Sequence, residues 1–317
     1  MPDKEETLTQ YARQILGQVS CVISGKESVL LWVLTAILAR GHILLEDIPG
    51  VGKTTMAVAF SKVLGLSCNR VQFTPDVLPS DITGYSIPEP TTGKLSYQPG
   101  AVLCNLFLAD ELNRATSRTQ SALLEAMEEG QVTVDGIRHK IPHPFTVIAT
   151  QNPTGAAGTQ LLPDSQMDRF SLRLSLGYPQ AKDELAMVMN RLEGDPMGKL
   201  TPVLTAQELS ELQDLVAATY LREEVATYVV SLVDATRNNE YLLRGASPRA
   251  TLSIVSLAKA TARLQGRDYV VPRDVQSVFA QAISHRLLLS PKAEGCGKGM
   301  ADILKEILVA VPAPGLR

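Results

Sequence analysis

Ile43-Leu44-Leu45-Glu46-Asp47-Ile48-Pro49-Gly50-Val51-Gly52-Lys53-Thr54-Thr55 decides how the rest of the chain is read. The apolar run reads as a buried strand, and Met56 to Leu64 continues in a helical pattern. Between them lies a glycine loop of the kind that cradles phosphates. Its glycines let backbone N–H groups turn inward, its lysine reaches the β- and γ-phosphates, and the next hydroxyl ligates Mg²⁺. The helix N-terminus adds partial positive charge. Pro49, Gly50, Val51, Gly52, Lys53, Thr54 and Thr55 are therefore candidate nucleotide-binding residues, with Thr54 a candidate Mg²⁺ ligand. Asp47 stands where the eight-residue pattern usually has its first glycine. A carboxylate facing phosphate would repel it, so Asp47 is expected to point away from the nucleotide.

Two further apolar runs end in polar groups suited to the same chemistry. Asn105-Leu106-Phe107-Leu108-Ala109-Asp110-Glu111 is a buried strand ending in adjacent carboxylates. Beside a phosphate loop, Asp110 can hold the water shell of Mg²⁺ and Glu111 can polarise an attacking water. Ile148-Ala149-Thr150-Gln151-Asn152-Pro153 places Asn152 where it could orient that water, although Asn before Pro is also plain turn chemistry. Arg169, in Met167-Asp168-Arg169-Phe170, and Arg249, in Ser247-Pro248-Arg249-Ala250, stand out by setting; either also reads as a surface cation.

Short apolar runs alternating with helical patterns through residue 180 predict an α/β layer with a parallel sheet. Two hairpins are inserted in it. Val132 to Ile141 alternates on both sides of Asp135-Gly136, and Ser86 to Gly100 has extended arms around Thr91-Thr92-Gly93. Beyond Tyr178-Pro179 a Gly- and Pro-rich loop leads into helical patterns. Thr205 and Glu208 fit a capping box, and Ser247-Pro248 fits an N-cap and first helical residue, with that helix ending near Gly266. The domains expected are an α/β nucleotide-binding domain over 1–190 and a helical lid over 191–317.

At 317 residues, the chain carries 30 basic and 33 acidic residues for a net charge of −3, so no global positive field exists to hold a polyanion. The 4 cysteines fall in neither a metal knuckle nor a secreted disulfide framework and read as reduced thiols. The N-terminus lacks a basic-then-apolar leader, and the longest uncharged apolar stretch, Ser28 to Ala39, is too short to span a bilayer and reads as a buried helix. A cytoplasmic location is expected. His139 and His143 are separated by Pro142, which forbids the helix that would align them on a metal, and Glu125, Glu128 and Glu129 read as a solvated helix face.

These elements, in this order, resemble the AAA+ ATPases, and the details resemble the MoxR branch over nearly the whole chain. Thr74 to Gly84, Asp110 to Ala115, Gln120 to Glu129 and Gly245 to Arg249 look like that family's sequence blocks. The resemblance implies the AAA+ P-loop three-layer fold with hairpin inserts and an all-α lid, ATP or ADP with Mg²⁺ as cofactors, and assembly of the chain into a ring, usually a hexamer. It implies Lys53 and Thr54 as Walker A, Asp110 and Glu111 as Walker B, Asn152 as sensor 1, and Arg169 as an arginine finger reaching a neighbour's nucleotide. Arg249 matches sensor 2 and would instead reach the γ-phosphate from the lid. Val22-Ile23-Ser24-Gly25-Lys26-Glu27 resembles the segment that packs on adenine, with Lys26 where glutamine is common; on pattern alone it is equally an ordinary loop. Partners implied are a client or adaptor protein, some with a von Willebrand factor A domain, for remodelling, assembly or metal insertion.

Three other readings compete. A P-loop GTPase would need an Asn-Lys-x-Asp guanine reader and a kinase an acceptor site, and neither is found. A nucleotide-dependent binding switch would need Glu111 to be idle. A DNA-directed AAA+ motor would draw on Lys94, Arg138 and Lys140 of the hairpins, without a strong nucleic-acid signal elsewhere.

Overall fold

A computed structural model describes residues 4–47, 50–91, 93–151, 162–192 and 194–315; Pro49 and Asn152 lie outside them. The chain begins with α1 (Lys4–Val22) and α2 (Glu27–Leu38), followed by β1 (Ile43–Glu46), α3 (Lys53–Val63) and β2 (Cys68–Gln72). Next come α4 (Pro79–Thr83), the antiparallel pair β3 (Gly84–Pro88) and β4 (Leu95–Pro99), β5 (Leu106–Asp110) and α5 (Ser117–Glu129). A second antiparallel pair, β6 (Gln131–Val134) and β7 (Ile137–Lys140), precedes β8 (Thr146–Gln151), α6 (Asp164–Met167) and β9 (Leu172–Leu174). Both hairpins form in the expected segments, one around the Thr-Thr-Gly centre and one around Asp135-Gly136, where Asp135 at φ 50° and Gly136 at φ 78° make the tight turn.

The central sheet is parallel in the order β2-β5-β8-β1-β9. β5 and β8 are buried along their whole length, as strands covered on both faces must be. Side-chain alternation divides them between two cores. Ile43, Leu45, Leu106, Leu108 and Ile148 pack with α1 to α3, while Leu44, Phe107, Ala109, Val147 and Ala149 pack with α5 and the segment around Ile82. Layers of helix, sheet and helix result, with the phosphate loop leaving the carboxyl end of β1, between β8 and the edge strand β9, on the side where open α/β sheets bind ligands.

The helical part comprises α7 (Ala181–Leu192), α8 (Ala206–Ala217), α9 (Glu223–Arg237), α10 (Pro248–Leu264), α11 (Pro272–Ile283), α12 (Pro291–Gly295) and α13 (Met300–Ala310). Its capping signals were readable. Thr205 Oγ1 accepts from the Glu208 N–H at 3.2 Å and the Glu208 carboxylate accepts from the Thr205 N–H at 2.8 Å, while Ser247 caps α10. A feature outside the helical reading is the short antiparallel pair β10 (Leu242–Arg244) and β11 (Leu288–Leu289). α10 packs against α1 and α2, so the lid and the first face of the sheet share one core. No side chain of α7 is buried, and Leu185, Val188, Met189 and Leu192 form an exposed apolar stripe at helical spacing. Among the described residues no helix is long and apolar enough to cross a membrane.

Polar contacts fasten the lid to the segment carrying Arg169. Arg244 pairs with Asp164, Ser247 Oγ donates to Asp168 Oδ1 at 2.8 Å, and Arg286 Nη2 donates to the Phe170 carbonyl at 2.7 Å. His285 Nε2 lies 2.9 Å from the same carbonyl.

Candidate functional site

At the carboxyl end of β1 the chain turns through Gly50 at φ 87° and Gly52 at φ 94°, left-handed conformations that favour glycine. Gly52 caps α3, whose first residue is Lys53. Lys53 is buried, and its Nζ donates to the Asp47 carbonyl at 2.7 Å. Burial pushes its ammonium below the ordinary lysine range, against the pull of Asp47, Asp110 and Glu111. The Asp47 carboxylate is turned to the exit of β9. It accepts from Ser175 Oγ at 2.9 Å, from the Gly177 N–H at 3.1 Å and from the Leu176 N–H. The acid in the glycine position is thus occupied with backbone donors, consistent with the expected orientation.

Asp110 ends β5 with each oxygen engaged. Oδ1 accepts from Thr150 Oγ1 at 2.7 Å, and Oδ2 faces Thr54 Oγ1 at 3.5 Å. Oδ2 also accepts from Arg70 Nη2 at 2.8 Å. Glu111 turns through φ 55°, an uncommon conformation for a side-chain-bearing residue. Its N–H donates to Thr150 Oγ1 at 2.8 Å and its carboxylate accepts from Arg114 Nη1 at 2.7 Å. One threonine hydroxyl therefore joins both acids. The Thr54 hydroxyl and Asp110 carboxylate are hard oxygen donors converging beside the phosphate loop, a donor set that fits Mg²⁺.

Val22 and Ile23 come to the same loop. A cavity of about 410 Å³ is lined by Val22, Ser24 and Thr55 on one side and by Met187, Val188 and Arg191 of α7 on the other. A Cβ placed on Gly52 would lie 3.7 Å from Ile23 Cδ1, so Ile23 backs the turn. Lys26, where a glutamine is common in such segments, donates to the Tyr178 carbonyl at 2.9 Å.

Arg169 and Arg249 are elsewhere. Glu128, in the last turn of α5, accepts from Arg169 Nε at 3.1 Å and pairs with Arg249 through its other oxygen. The three line a cavity of about 220 Å³ together with His42, which immediately precedes β1. That is the amino edge of the sheet, opposite the edge from which Lys53 departs. Two expectations change as a result. Arg249 is grouped with Arg169 rather than with its own chain's phosphate loop, because capping by Ser247 and the Ser247–Asp168 contact fix the start of α10 over the Arg169 segment. Glu128 does more than face solvent, since it holds both guanidiniums.

Comparison with known proteins accounts for the same elements. Residues 42–172 match the model of the ATPase family associated with various cellular activities, and residues 234–307 match the AAA lid domain. The chain is 41% identical to the uncharacterized protein YeaC of Bacillus subtilis over 98% of its own length and 97% of that protein's. It is 37% identical to the chaperone MoxR1 of Mycobacterium tuberculosis over 94% of itself and 81% of that protein. The chain belongs to the MoxR family of AAA+ ATPases. A crystal structure of a candidate ATPase from Cytophaga hutchinsonii, 34% identical, superposes with a TM-score of 0.90 over 98% of this chain and 97% of that one.

Set beside the MoxR blocks read from the sequence, four residues of the site were missed. Thr150 lies in the same strand as Asn152's neighbour Gln151 and has no signal that sets it apart from a strand-forming threonine, and Glu128 has the sequence pattern of a surface acid. Arg70 carries no local signal, since only strand pairing brings β2 beside Asp110. His42 gave one weak sign, its place just before the strand.

Proposed function

We propose that this MoxR-type chain hydrolyses ATP with Mg²⁺ in a ring of identical subunits, hexameric by family resemblance, and uses the cycle to remodel, assemble or load metal into a client protein. The observation that carries the reading is the split site: Lys53, Thr54, Asp110 and Glu111 gather at one edge of the sheet, while Arg169 and Arg249 gather at the other. In a ring, one subunit's arginine edge would face the next subunit's phosphate edge. Lys53 would pair with the β- and γ-phosphates, an approach that restores the charge burial weakens. Thr54 and Asp110 would hold Mg²⁺, which when bound neutralises developing phosphate charge. Glu111 would take the proton of the attacking water and Asn152 would orient that water. Arg169 and Arg249 from the neighbour would stabilise the transferring phosphoryl group, a contribution of about 10³ to 10⁵ in rate for arginine fingers. Adenine would occupy the cavity bounded by Val22, with Ile23 behind the loop. A client or adaptor, of which a von Willebrand factor A domain is one expected form, would meet the hairpins, which expose Tyr85, Leu95 and Ile137. The expected compartment is the cytoplasm.

Steady-state hydrolysis measured against protein concentration, with assembly size followed on the same samples, tests this. Specific activity should rise as larger assemblies appear and vanish in Glu111→Gln, which should still bind ATP, whereas Lys53→Ala should lose binding. Full turnover in Glu111→Gln would remove the catalytic assignment. ATP binding without turnover in any assembly or with any partner would favour a nucleotide switch.

A further inference from the structure

Both arginines assigned to the neighbouring nucleotide end on a single carboxylate. Oε2 of Glu128 accepts from Arg169 Nε at 3.1 Å, and Oε1 takes Arg249 Nη2. Two guanidiniums this close repel each other unless a counter-charge sits between them. The grip on Arg169 is at Nε, nearest the chain, and its two Nη groups have no hydrogen-bond partner among the described residues. An arginine held this way presents the terminal fork that binds phosphate.

Glu128 is itself fixed from behind. The carbonyl of Met127 accepts from His42 Nε2 at 3.2 Å, and His42 Nδ1 accepts from the Val147 N–H at 3.0 Å. These contacts tie the end of α5 to the beginnings of β1 and β8, whose first three residues are all buried. A flexible pair of surface ions would have no such anchorage, and exposed ion pairs without it contribute little.

We infer that Glu128 is the positioning residue of the arginine pair, holding Arg169 and Arg249 side by side so that both reach the neighbour's phosphates in one geometry. The inference rests on the reading that these arginines serve the neighbouring site. Misplacing a phosphate-binding group by about 1 Å costs on the order of a hundredfold in rate, so the charge and length of Glu128 should appear in turnover rather than in binding.

The test compares Glu128→Gln, Glu128→Asp and Arg169→Ala for assembly size, affinity for a fluorescent ATP analogue, kcat and KM. Glu128→Gln should assemble and bind the analogue as the parent does, with kcat lowered about tenfold to a hundredfold and KM within about threefold, and Glu128→Asp should regain part of the rate. A mixed assembly separates this inference from the reading beneath it. Glu111→Gln subunits, inactive at their own sites, should restore turnover to Arg169→Ala subunits, and Glu111→Gln/Glu128→Gln subunits should restore at least tenfold less. Equal restoration by both would overturn the role of Glu128 and leave the shared site standing. Failure of the Glu111→Gln subunits to rescue, in mixed assemblies shown to form, would overturn the shared site and the inference together. Should Glu128→Gln not assemble alone, the mixed assay still decides.

Discussion

Arg70 Nη2 donates to Asp110 Oδ2 at 2.8 Å, reaching from the edge strand β2 to the end of β5. The same oxygen faces the Thr54 hydroxyl at 3.5 Å, so a guanidinium stands beside the donor pair assigned to Mg²⁺. Two cations drawn to one carboxylate oxygen compete, and the half-exposed position of Arg70 moderates the effect by screening. Arg70→Ala should lower the Mg²⁺ concentration that half-saturates nucleotide binding by about threefold to tenfold. Titrating Mg²⁺ against a fluorescent ADP analogue measures it. An unchanged or raised half-saturation point would mean that Arg70 supports Asp110 instead of opposing the cation.

Asp47 offers a case in which the usual glycine should be the worse residue. Its carboxylate accepts from two consecutive backbone N–H groups at the exit of β9, and its carbonyl takes Lys53 Nζ. Removing the acceptor leaves those donors unsatisfied at about 1–3 kcal/mol, and glycine adds backbone freedom at the base of the phosphate loop. Asp47→Gly should therefore lower the thermal midpoint and weaken nucleotide binding. Tighter binding in Asp47→Gly, measured by calorimetry, would show that charge repulsion by the acid outweighs its structural role.

Thr150 joins the two acids through one hydroxyl, donating to Asp110 Oδ1 and accepting from the Glu111 N–H. Valine keeps the shape and removes both bonds. Because Glu111 holds an unfavourable left-handed backbone that these bonds help fix, Thr150→Val should let it relax. Turnover should fall about tenfold to a hundredfold while ATP affinity stays close to the parent's. Equal losses in affinity and turnover would place Thr150 in the binding surface rather than behind Glu111.

What could be read in advance followed from local physics. The phosphate loop, the β5 acids, both hairpins and the caps at Thr205 and Ser247 each declare themselves within a few residues, through glycine freedom, burial on two faces or turn chemistry. Arg70, Glu128 and the grouping of Arg249 with Arg169 depend on which strands and helices become neighbours, which no short segment specifies. Glu128 reads as a solvated acid because its partners are 41 and 121 residues away in sequence. The family resemblance implies that Arg249 reaches its own γ-phosphate, whereas the contact of Ser247 with Asp168 sets the start of α10 beside Arg169 and Glu128.

Two histidines, the half-buried His42 and the buried His285, make folding stability acid-sensitive. His42 accepts the Val147 N–H at Nδ1 and donates from Nε2 to the Met127 carbonyl, a pattern that requires the neutral ring. Burial lowers its pKa to about 4, and burial together with Arg286 lowers that of His285 to about 3. Unfolded, both rings would protonate near pH 6.5, at the ordinary histidine value. Between that pH and about 4 the unfolded chain binds protons that the folded chain refuses, so stability is full above pH 7 and declines as pH falls through this window. With both rings protonated in the unfolded chain the slope reaches about 2.7 kcal/mol per pH unit. Below pH 4.5 the carboxylates held low by hydrogen bonds, Asp164 and Glu208 among them, begin to add to the loss, which makes pH 5 to 6.5 the clean interval. Urea midpoints taken at half-unit steps across that interval should fall steadily. His42→Gln and His285→Gln should each lie lower at pH 7 yet show about half the parent's slope, because each removes one of the two protons. A variant with the parent's full slope would show that its histidine is not a source of the acid sensitivity.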